Sequence, residues 1–346
     1  MLGLFLKIRI PLFFLWIFGF SNEITFASHA GPKPKSRPQS EVPCPGYDSN
    51  DPFAINLRYS KGPRRGECVR LQEMRPIHIL SKEEAESYAL KANLPPPAPG
   101  EVWVANIRHN NKFWVAKLTD ESVEDILFQV ERFDPKGPLL ARINSRTWFA
   151  AHAQVRFKFK KGKEALLIPQ LNNDDTPAIK LSNLVVSSEA IRRKNEDFDP
   201  REGNQDTYAL AKRVLSLEQV TQDSVKKLGH EIAQFPIRIP GNKATHDRKR
   251  QNYLINALNR SEKDYQTYAA HKPKMYNTFD CNCISDAIDI FDDITDYRSV
   301  SRSEEEIPEL LPGRIVKSLE RRGLIFSTSR QAYPTLNQEV GIPWRF

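Results

Sequence analysis

The stretch AHAQVRFKF, Ala151–Phe159, decides the fold class of this chain. Its odd-numbered positions are apolar, and its even-numbered positions, beginning with His152, are polar. A period of two is typical of a β-strand that turns one face to a core. Gly162 marks a turn, after which the apolar runs Ala165–Pro169 and Leu184–Val186 predict two more strands. The sequence therefore predicts a β-rich block over residues 149–189.

A β-hairpin is predicted ahead of this block. The runs Val102–Ile107 and Phe113–Leu118 flank the turn residues His109–Asn111. Both alternate positions of each run are largely apolar, so we expect strands that are covered on both faces. Four apolar residues after the hairpin recur at helical spacing and predict a helix: Val123, Ile126, Leu127 and Val130.

Two capping boxes predict helix starts. Ser81 pairs with Glu84 ahead of a helix that Pro95–Pro97 ends, and Ser216 pairs with Gln219. Apolar residues at helical spacing predict helices over four stretches, of which the first follows the Ser216 cap: Leu217–Ile232, Arg250–Leu258, Ile284–Phe291 and Ile315–Leu324. Strands and helices are mixed without a βαβ rhythm, so the expected fold class is α+β.

Composition bounds the classes of protein that this chain can be. It has 346 residues, of which 40 % are apolar and 27 % charged, enough for a substantial core and too many for a disordered chain. The 51 basic and 43 acidic residues give a formal net charge of +8. This excess is compatible with an anionic partner but is too modest to indicate nucleic acid.

The first thirty residues have the pattern of a secretory signal peptide. Lys7 and Arg9 precede an apolar run from Ile10 to Phe20, and small residues around Ala27 and Ala30 follow. The run is too short for a membrane span, which needs about 20 residues. We therefore expect an exported protein, periplasmic or extracellular, whose mature chain has no transmembrane span.

In an exported protein, the four cysteines can form disulfides. Cys44 and Cys68 flank a turn-rich loop that a disulfide would close, whereas Cys281 and Cys283 are too close in sequence for an ordinary unstrained bridge. Four cysteines allow three connectivities, and we favour a Cys44–Cys68 bridge with at least one free thiol in the later pair. A zinc site from Cys281, Cys283 and His271 lacks the usual ligand spacing, so we expect no metal and no cofactor.

Cys283 is the candidate nucleophile. Asn282 is a good N-cap, and a thiol at a helix N-terminus is stabilised as the reactive thiolate. The nearby Asp280, Asp286 and Asp289 oppose this effect, so an adjacent base has to activate the thiol. The alternative is an inert cysteine that packs at a helix start.

His152 is the best candidate base on local grounds. It opens the strand Ala151–Phe159 on the face opposite to the apolar stripe. An imidazole beside a thiol can take its proton, which is the arrangement that nucleophilic cysteine chemistry requires. The alternative is a strand histidine that faces solvent or bonds to a neighbour.

Four segments resemble one protein family. KMYNTFDCNC, Lys274–Cys283, resembles the Tyr-Asn-Thr…Asn-Cys signature of the Lnb N-terminal periplasmic domain family. Ala151–Ala153 resembles its Ala-His strand, Ser187–Arg192 its Ser-x-Glu-x-x-Arg segment, and Val104–Arg108 its entering strand. Order and spacing agree over roughly residues 101–295, more than half of the chain.

The resemblance implies a permuted papain-like fold, with a central antiparallel sheet and the nucleophile at a helix N-terminus. It implies Cys283 as nucleophile, His152 as general base and Glu189 as a polar partner of the imidazole. An ion pair of Glu189 with Arg192 or Arg193 would explain that glutamate equally well. The domain organisation that follows is a signal peptide over 1–30, a Pro-rich stapled segment over 31–100, the papain-like domain over 101–297 and a C-terminal helical extension over 298–346.

Two functions are expected from these features. The first is an exported, thiol-dependent acyltransferase or amidase that acts on an ester or amide carbonyl of an envelope component, such as a lipid, a lipoprotein or a peptidoglycan-like polymer. The second is a secreted binding or structural protein that keeps the fold without turnover.

Overall fold

The computed structural model describes residues 42–132, 151–194, 196, 198–199, 202–239, 243–277, 282–295, 312–325 and 333–342. Ten strands in this part of the chain form one sheet. Their bounds are β1 His78–Ile79, β2 Val102–His109, β3 Lys112–Leu118, β4 Val123–Arg132, β5 Ala151–Phe159, β6 Ala165–Pro169, β7 Ile179–Leu181, β8 Asn183–Ile191, β9 Ala209–Ser216 and β10 Glu231–Pro236.

The sheet is mostly antiparallel. Its order is β10-β4-β5-β8-β9-β2-β3-β6-β7, and β1 pairs with β2 beside this path. Among the described strands, only β2 and β9 are paired in parallel, through Arg108 and Leu215. The prediction of an α+β fold with a central antiparallel sheet is thus confirmed at that level, and the predicted hairpin is β2–β3.

Six α-helical segments of the described chain accompany the sheet. They are α1 Lys82–Lys91, α2 Leu217–Val220, α3 Lys243–Ala269, α4 Cys283–Thr295, α5 Pro312–Arg321 and α6 Leu336–Glu339. Both bonds of the predicted capping box between Ser81 and Glu84 are present at the start of α1. Helix α2 continues as a π-helix over Thr221–Lys227. The helical stripe predicted to reach Ile232 ends before it, because Ile232 belongs to β10.

The predicted helix over residues 123–130 is wrong, because this segment is strand β4. A β-bulge between Val123 and Asp125 shifts the register against β5. The bulge turns Val123 to the same face as Ile126 and Val130, and all three enter the main core. Leu127 is buried on the other face. A bulged strand that is covered on both sides therefore reproduces the apolar spacing of a helix.

The two faces of the sheet are covered by different elements. The main core contains Phe157 of β5, Leu254 of α3, Ile288 of α4 and Leu319 of α5. On the opposite face, α1 packs on Trp103 and neighbouring residues. The described part of the C-terminal extension is thus built into the core rather than left free.

The N-terminal segment is joined by a disulfide. Cys44 and Cys68 form the predicted bridge, with their Cα atoms 5.6 Å apart. Such a bond is consistent with export to an oxidising compartment. Residues Pro43–Phe346 belong to one compact unit. A search of the described residues for a helix long and apolar enough to cross a membrane found none.

Candidate active site

Helix α4 begins at Cys283, and Asn282 caps it. The Oδ1 atom of Asn282 accepts hydrogen bonds from the amides of Ile284 at 2.8 Å and Ser285 at 2.9 Å. The hydroxyl of Ser285 accepts one in return from the Asn282 amide at 3.1 Å. The Asp286 amide bonds the Asn282 carbonyl at 3.4 Å. The Cys283 amide is therefore the N–H of the first turn that finds no acceptor within the described residues.

The thiol of Cys283 lies where two strands separate. Strands β5 and β8 are paired as far as Gln154 and Ser187, but β5 continues beyond this pair to Ala151. In the gap, the Ala153 amide points to the thiol and donates a hydrogen bond to Sγ at 3.5 Å. The α4 N-terminus and this amide both place partial positive charge next to the sulfur atom.

His152 is held by a chain of three polar groups. Its Nε2 lies 2.7 Å from the Ser187 hydroxyl, which donates to Oε1 of Glu189 at 3.0 Å. Because the hydroxyl proton goes to Glu189, the hydroxyl accepts from His152, and the ring carries a proton on Nε2. Glu189 is anchored by Arg213, whose Nε lies 2.9 Å from the same carboxylate oxygen. The other ring nitrogen, Nδ1, can then accept the proton of the thiol.

Charges around His152 favour its protonated form. Burial alone lowers its pKa, but the Cys283 thiolate, a hydrogen bond to that thiolate and the carboxylates of Glu189 and Glu131 raise the pKa to about 9. Burial raises the pKa of Glu189, while Arg213, His152 and the Ser187 hydroxyl lower it to a net decrease. The environment of His152 therefore favours the imidazolium at neutral pH, and a cation of this kind beside a thiol is what nucleophilic cysteine chemistry requires.

Basic partners lie next to the two described carboxylates of α4 that are nearest to Cys283 in sequence. Asp286 lies 2.9 Å from the ammonium of Lys212 and accepts a hydrogen bond from the Ser188 hydroxyl at 2.8 Å. Arg260 lies 3.5 Å from Asp286 and 3.6 Å from Asp289. Two of the three aspartates that were expected to oppose a thiolate are thus compensated, and Asp280 lies outside the described residues.

A narrow crevice runs past the thiol between the sheet and helices α3 and α4. Its lining is largely apolar and includes Val155, Val186, Tyr253 and Ala287, with the polar side chains of Gln154, Ser188 and Asp286. Cys283 itself is 8 % exposed. A reacting carbonyl would therefore have to approach the thiol from the His152 side or along this crevice.

The structure brings together all three residues that the sequence predicts for the site. Cys283 accepts a hydrogen bond from the amide of Ala153, next to His152, and it acts on the charge of that ring, while Glu189 reaches the ring through Ser187. The predicted alternative for Glu189 differs in detail, because its ion-pair partner is Arg213. Sequence reasoning missed Ser187, although a hydroxyl two positions before Glu189 on one strand lies on the same face.

The zinc hypothesis has no geometric counterpart in the described residues. No group of three or more His, Cys, Asp or Glu side chains among them is arranged to hold a metal ion. His271 is exposed in a turn with a φ of 57°. Cys281 lies outside the described residues, and the free thiol that the structure describes is Cys283.

Comparison with protein-family models, with curated proteins and with solved structures finds no match to this chain. The functional assignment therefore rests on the residues of the site.

Proposed function

We propose that this chain is an exported thiol-dependent acyltransferase or amidase with a permuted papain-like arrangement, in which Cys283 is the nucleophile and His152 the general base. The observation that carries the proposal is the position of Cys283 at a helix N-terminus, where its thiol accepts a hydrogen bond from the Ala153 amide at 3.5 Å and so lies next to His152, whose pKa the surroundings raise to about 9. A structural cysteine needs no such partner. The disulfide and the N-terminal signal pattern support export.

The geometry supports a two-step acyl transfer. The Cys283 thiolate attacks an ester or amide carbonyl carbon, a C–S bond forms, and the carbonyl electron pair moves to oxygen. The Cys283 amide, which has no acceptor among the described residues, can donate to this oxyanion. Collapse of the intermediate expels an alkoxide or amine, which takes the proton from His152, and leaves a thioester. An amine or water then attacks the thioester while His152 takes its proton, and the thiol is regenerated.

Ser187 and Glu189 act as positioning residues in this scheme. The bond from Nε2 to the Ser187 hydroxyl keeps the ring in one orientation, and Glu189 with Arg213 fixes the hydroxyl. The carboxylate also stabilises the imidazolium, because it places negative charge near the ring. This resembles the role of the third member in a Cys-His-polar triad.

Trapping of the acyl-enzyme tests the proposal. Incubation with a small activated ester, such as p-nitrophenyl acetate, should add one acetyl group to Cys283, detectable by peptide mass spectrometry. Cys283→Ala should abolish the adduct, and His152→Ala should slow its formation about a hundredfold, the typical contribution of a general base. His271→Asn is the matched control, since it removes an exposed histidine and asparagine tolerates its φ of 57°.

A non-catalytic binding or structural protein is the second candidate, and the burial of Cys283 favours it. A thiol that is 8 % exposed meets a substrate only through a small opening. In this case the reduced protein would form no acetyl adduct at Cys283, or would form it at the same rate in His152→Ala. Either result would remove the enzymatic proposal.

A further inference from the structure

Three arginines lie together on the sheet face that also carries His152. Arg108 of β2 is paired with Leu215 of the neighbouring strand β9. Arg213 precedes Leu215 by two residues on β9, so the side chains of Arg108 and Arg213 lie on the same face of the sheet. Arg108 also faces Phe113 across the β2–β3 hairpin. Its guanidinium lies 4.8 Å from the centre of that ring, and the guanidinium of Arg75 lies 3.9 Å from it.

Among the described residues, two carboxylates pair with these three arginines, so the cluster keeps an excess positive charge. Arg75 pairs with Asp51 at 2.6 Å and Arg213 with Glu189 at 2.9 Å. Arg108 makes no ion pair with any described residue, and its one hydrogen bond is a long contact of 3.5 Å to the carbonyl of Gln72.

Several donors of the cluster are buried without an acceptor. Arg75 is 5 % exposed, yet its Nε and Nη1 atoms have no hydrogen-bond partner among the described residues. Arg213 is 9 % exposed, and its Nε is not aligned for a hydrogen bond to Glu189 despite their short separation. Burying a guanidinium without acceptors is unfavourable, so these side chains need a further acceptor.

The charges of the cluster also oppose each other. Burial and the like charges of Arg213 and Arg75 lower the pKa of Arg108 to about 10, although Asp223 and Glu73 act in the opposite direction from a distance. An anion bound among the three guanidinium groups would relieve this repulsion. A phosphate dianion fits better than a carboxylate, because it has more charge and more oxygens for planar guanidinium forks.

We propose that Arg75, Arg108 and Arg213 form a binding site for a phosphate group. Phe113 supports the two guanidinium groups that it contacts, and half-buried Arg108 is the member that reaches solvent. The phosphate belongs to a free or small-molecule phosphate or to a lipid headgroup, which share the same chemistry. This site goes beyond the proposed acyl transfer: it shares Arg213, which anchors Glu189, but neither Cys283 nor His152 contributes a contact, and the test variant Arg108→Gln leaves Arg213 in place.

Calorimetric titration of the full chain with inorganic phosphate and with glycerol phosphate tests the site. Arg108→Gln should weaken binding about tenfold or more, the usual cost of losing a charge-assisted pair of hydrogen bonds. Arg65→Gln is the matched control, because Arg65 is exposed and the structure shows no side-chain partner for it among the described residues. Equal binding by Arg108→Gln and the wild type would overturn the proposal.

Two further measurements keep the test decisive. Phosphate should raise the unfolding temperature of the wild type more than that of Arg108→Gln at the same concentration, a comparison that cancels the general stabilising effect of this salt. Sedimentation with phosphatidylcholine vesicles, with and without phosphatidic acid, identifies a lipid headgroup if Arg108→Gln loses the binding. If neither phosphate, glycerol phosphate nor phosphatidic acid binds, the site does not exist.

Discussion

The amide of Ala153 donates a hydrogen bond to Sγ of Cys283 at 3.5 Å, across 130 residues of sequence. This contact joins the open edge of β5 to the N-terminus of α4. It places the thiol beside His152, the residue just before Ala153. The pairing of β5 with β8 has to stop at Gln154 for the thiol to fit there.

The first prediction concerns the pH dependence of thiol reactivity. His152 has a pKa of about 9, so below that pH it carries a positive charge next to Cys283, and an adjacent cation makes a cysteine more reactive. Alkylation by iodoacetamide should be about tenfold slower in His152→Ala near pH 7, and the difference should shrink as pH rises through 9, where the wild-type imidazolium loses its proton. Alkylation that is quenched at set times, followed by mass spectrometry of the Cys283 peptide, measures the rates of the wild type and of His152→Ala. A ratio that stays constant from pH 6 to pH 10 would exclude an ion pair.

The second prediction concerns Ser187 as a positioning residue. Ser187→Ala removes the hydroxyl between His152 and Glu189, so the ring loses its partner at 2.7 Å. We expect acylation of Cys283 to slow about tenfold with a changed pH profile, while Ser187→Thr, which keeps the hydroxyl, retains most of the rate. Ser182→Ala, at an exposed position beside β8, is the control. A wild-type pH profile in Ser187→Ala would show that the hydroxyl has only a packing role.

Part of this site was predictable from the sequence, and the limits have physical causes. The alternation in Ala151–Phe159 and the cap at Asn282 are local signals, so the strand and the helix start were correctly predicted. Ser187 acts only through its distance to His152, which is set by the register of β5 against β8, and no local pattern encodes that register. The strand β4 was missed because its bulge shifts the apolar positions to helical spacing.

The third prediction separates the cap from the charge at Asn282. Asn282→Ala loses the two hydrogen bonds to the amides of Ile284 and Ser285 and should lower the free energy of unfolding by about 1 kcal/mol. Asn282→Asp keeps the cap and should retain stability, but its negative charge next to Cys283 should slow alkylation about threefold or more. Urea denaturation and alkylation rates, measured on both variants, check the two effects. If both variants behave alike in both assays, the cap does not influence the thiol.

The fourth prediction is an acid dependence of stability at Glu189. The folded-state pKa of Glu189 is lowered by Arg213, His152 and Ser187 despite burial. A lowered carboxyl pKa contributes stability above the ordinary value of about 4.3, and this contribution is lost as pH falls through the folded-state pKa. Glu189→Gln should therefore be destabilised by about 3 kcal/mol at pH 7, because Arg213 is left buried and unpaired. The difference from the wild type should shrink at acid pH.

Urea denaturation at pH 7 and at a series of lower pH values measures this difference. Glu83→Gln is the control, since Glu83 is exposed in the first turn of α1. A destabilisation of Glu189→Gln that does not change with pH would mean that packing, rather than the charge of Glu189, supports the site.

The fifth prediction concerns the Cys44–Cys68 bridge, which closes a loop with a sequence separation of 24 residues. Because the bond restricts the unfolded chain, its loss should lower the free energy of unfolding by about 3 kcal/mol. Urea denaturation with and without reductant measures the loss, and the double variant Cys44→Ser, Cys68→Ser should match the reduced wild type. Reductant should leave the stability of that double variant unchanged. A further loss on its reduction would locate a second redox-sensitive bond elsewhere and would tie the stability of the fold to the later cysteine pair.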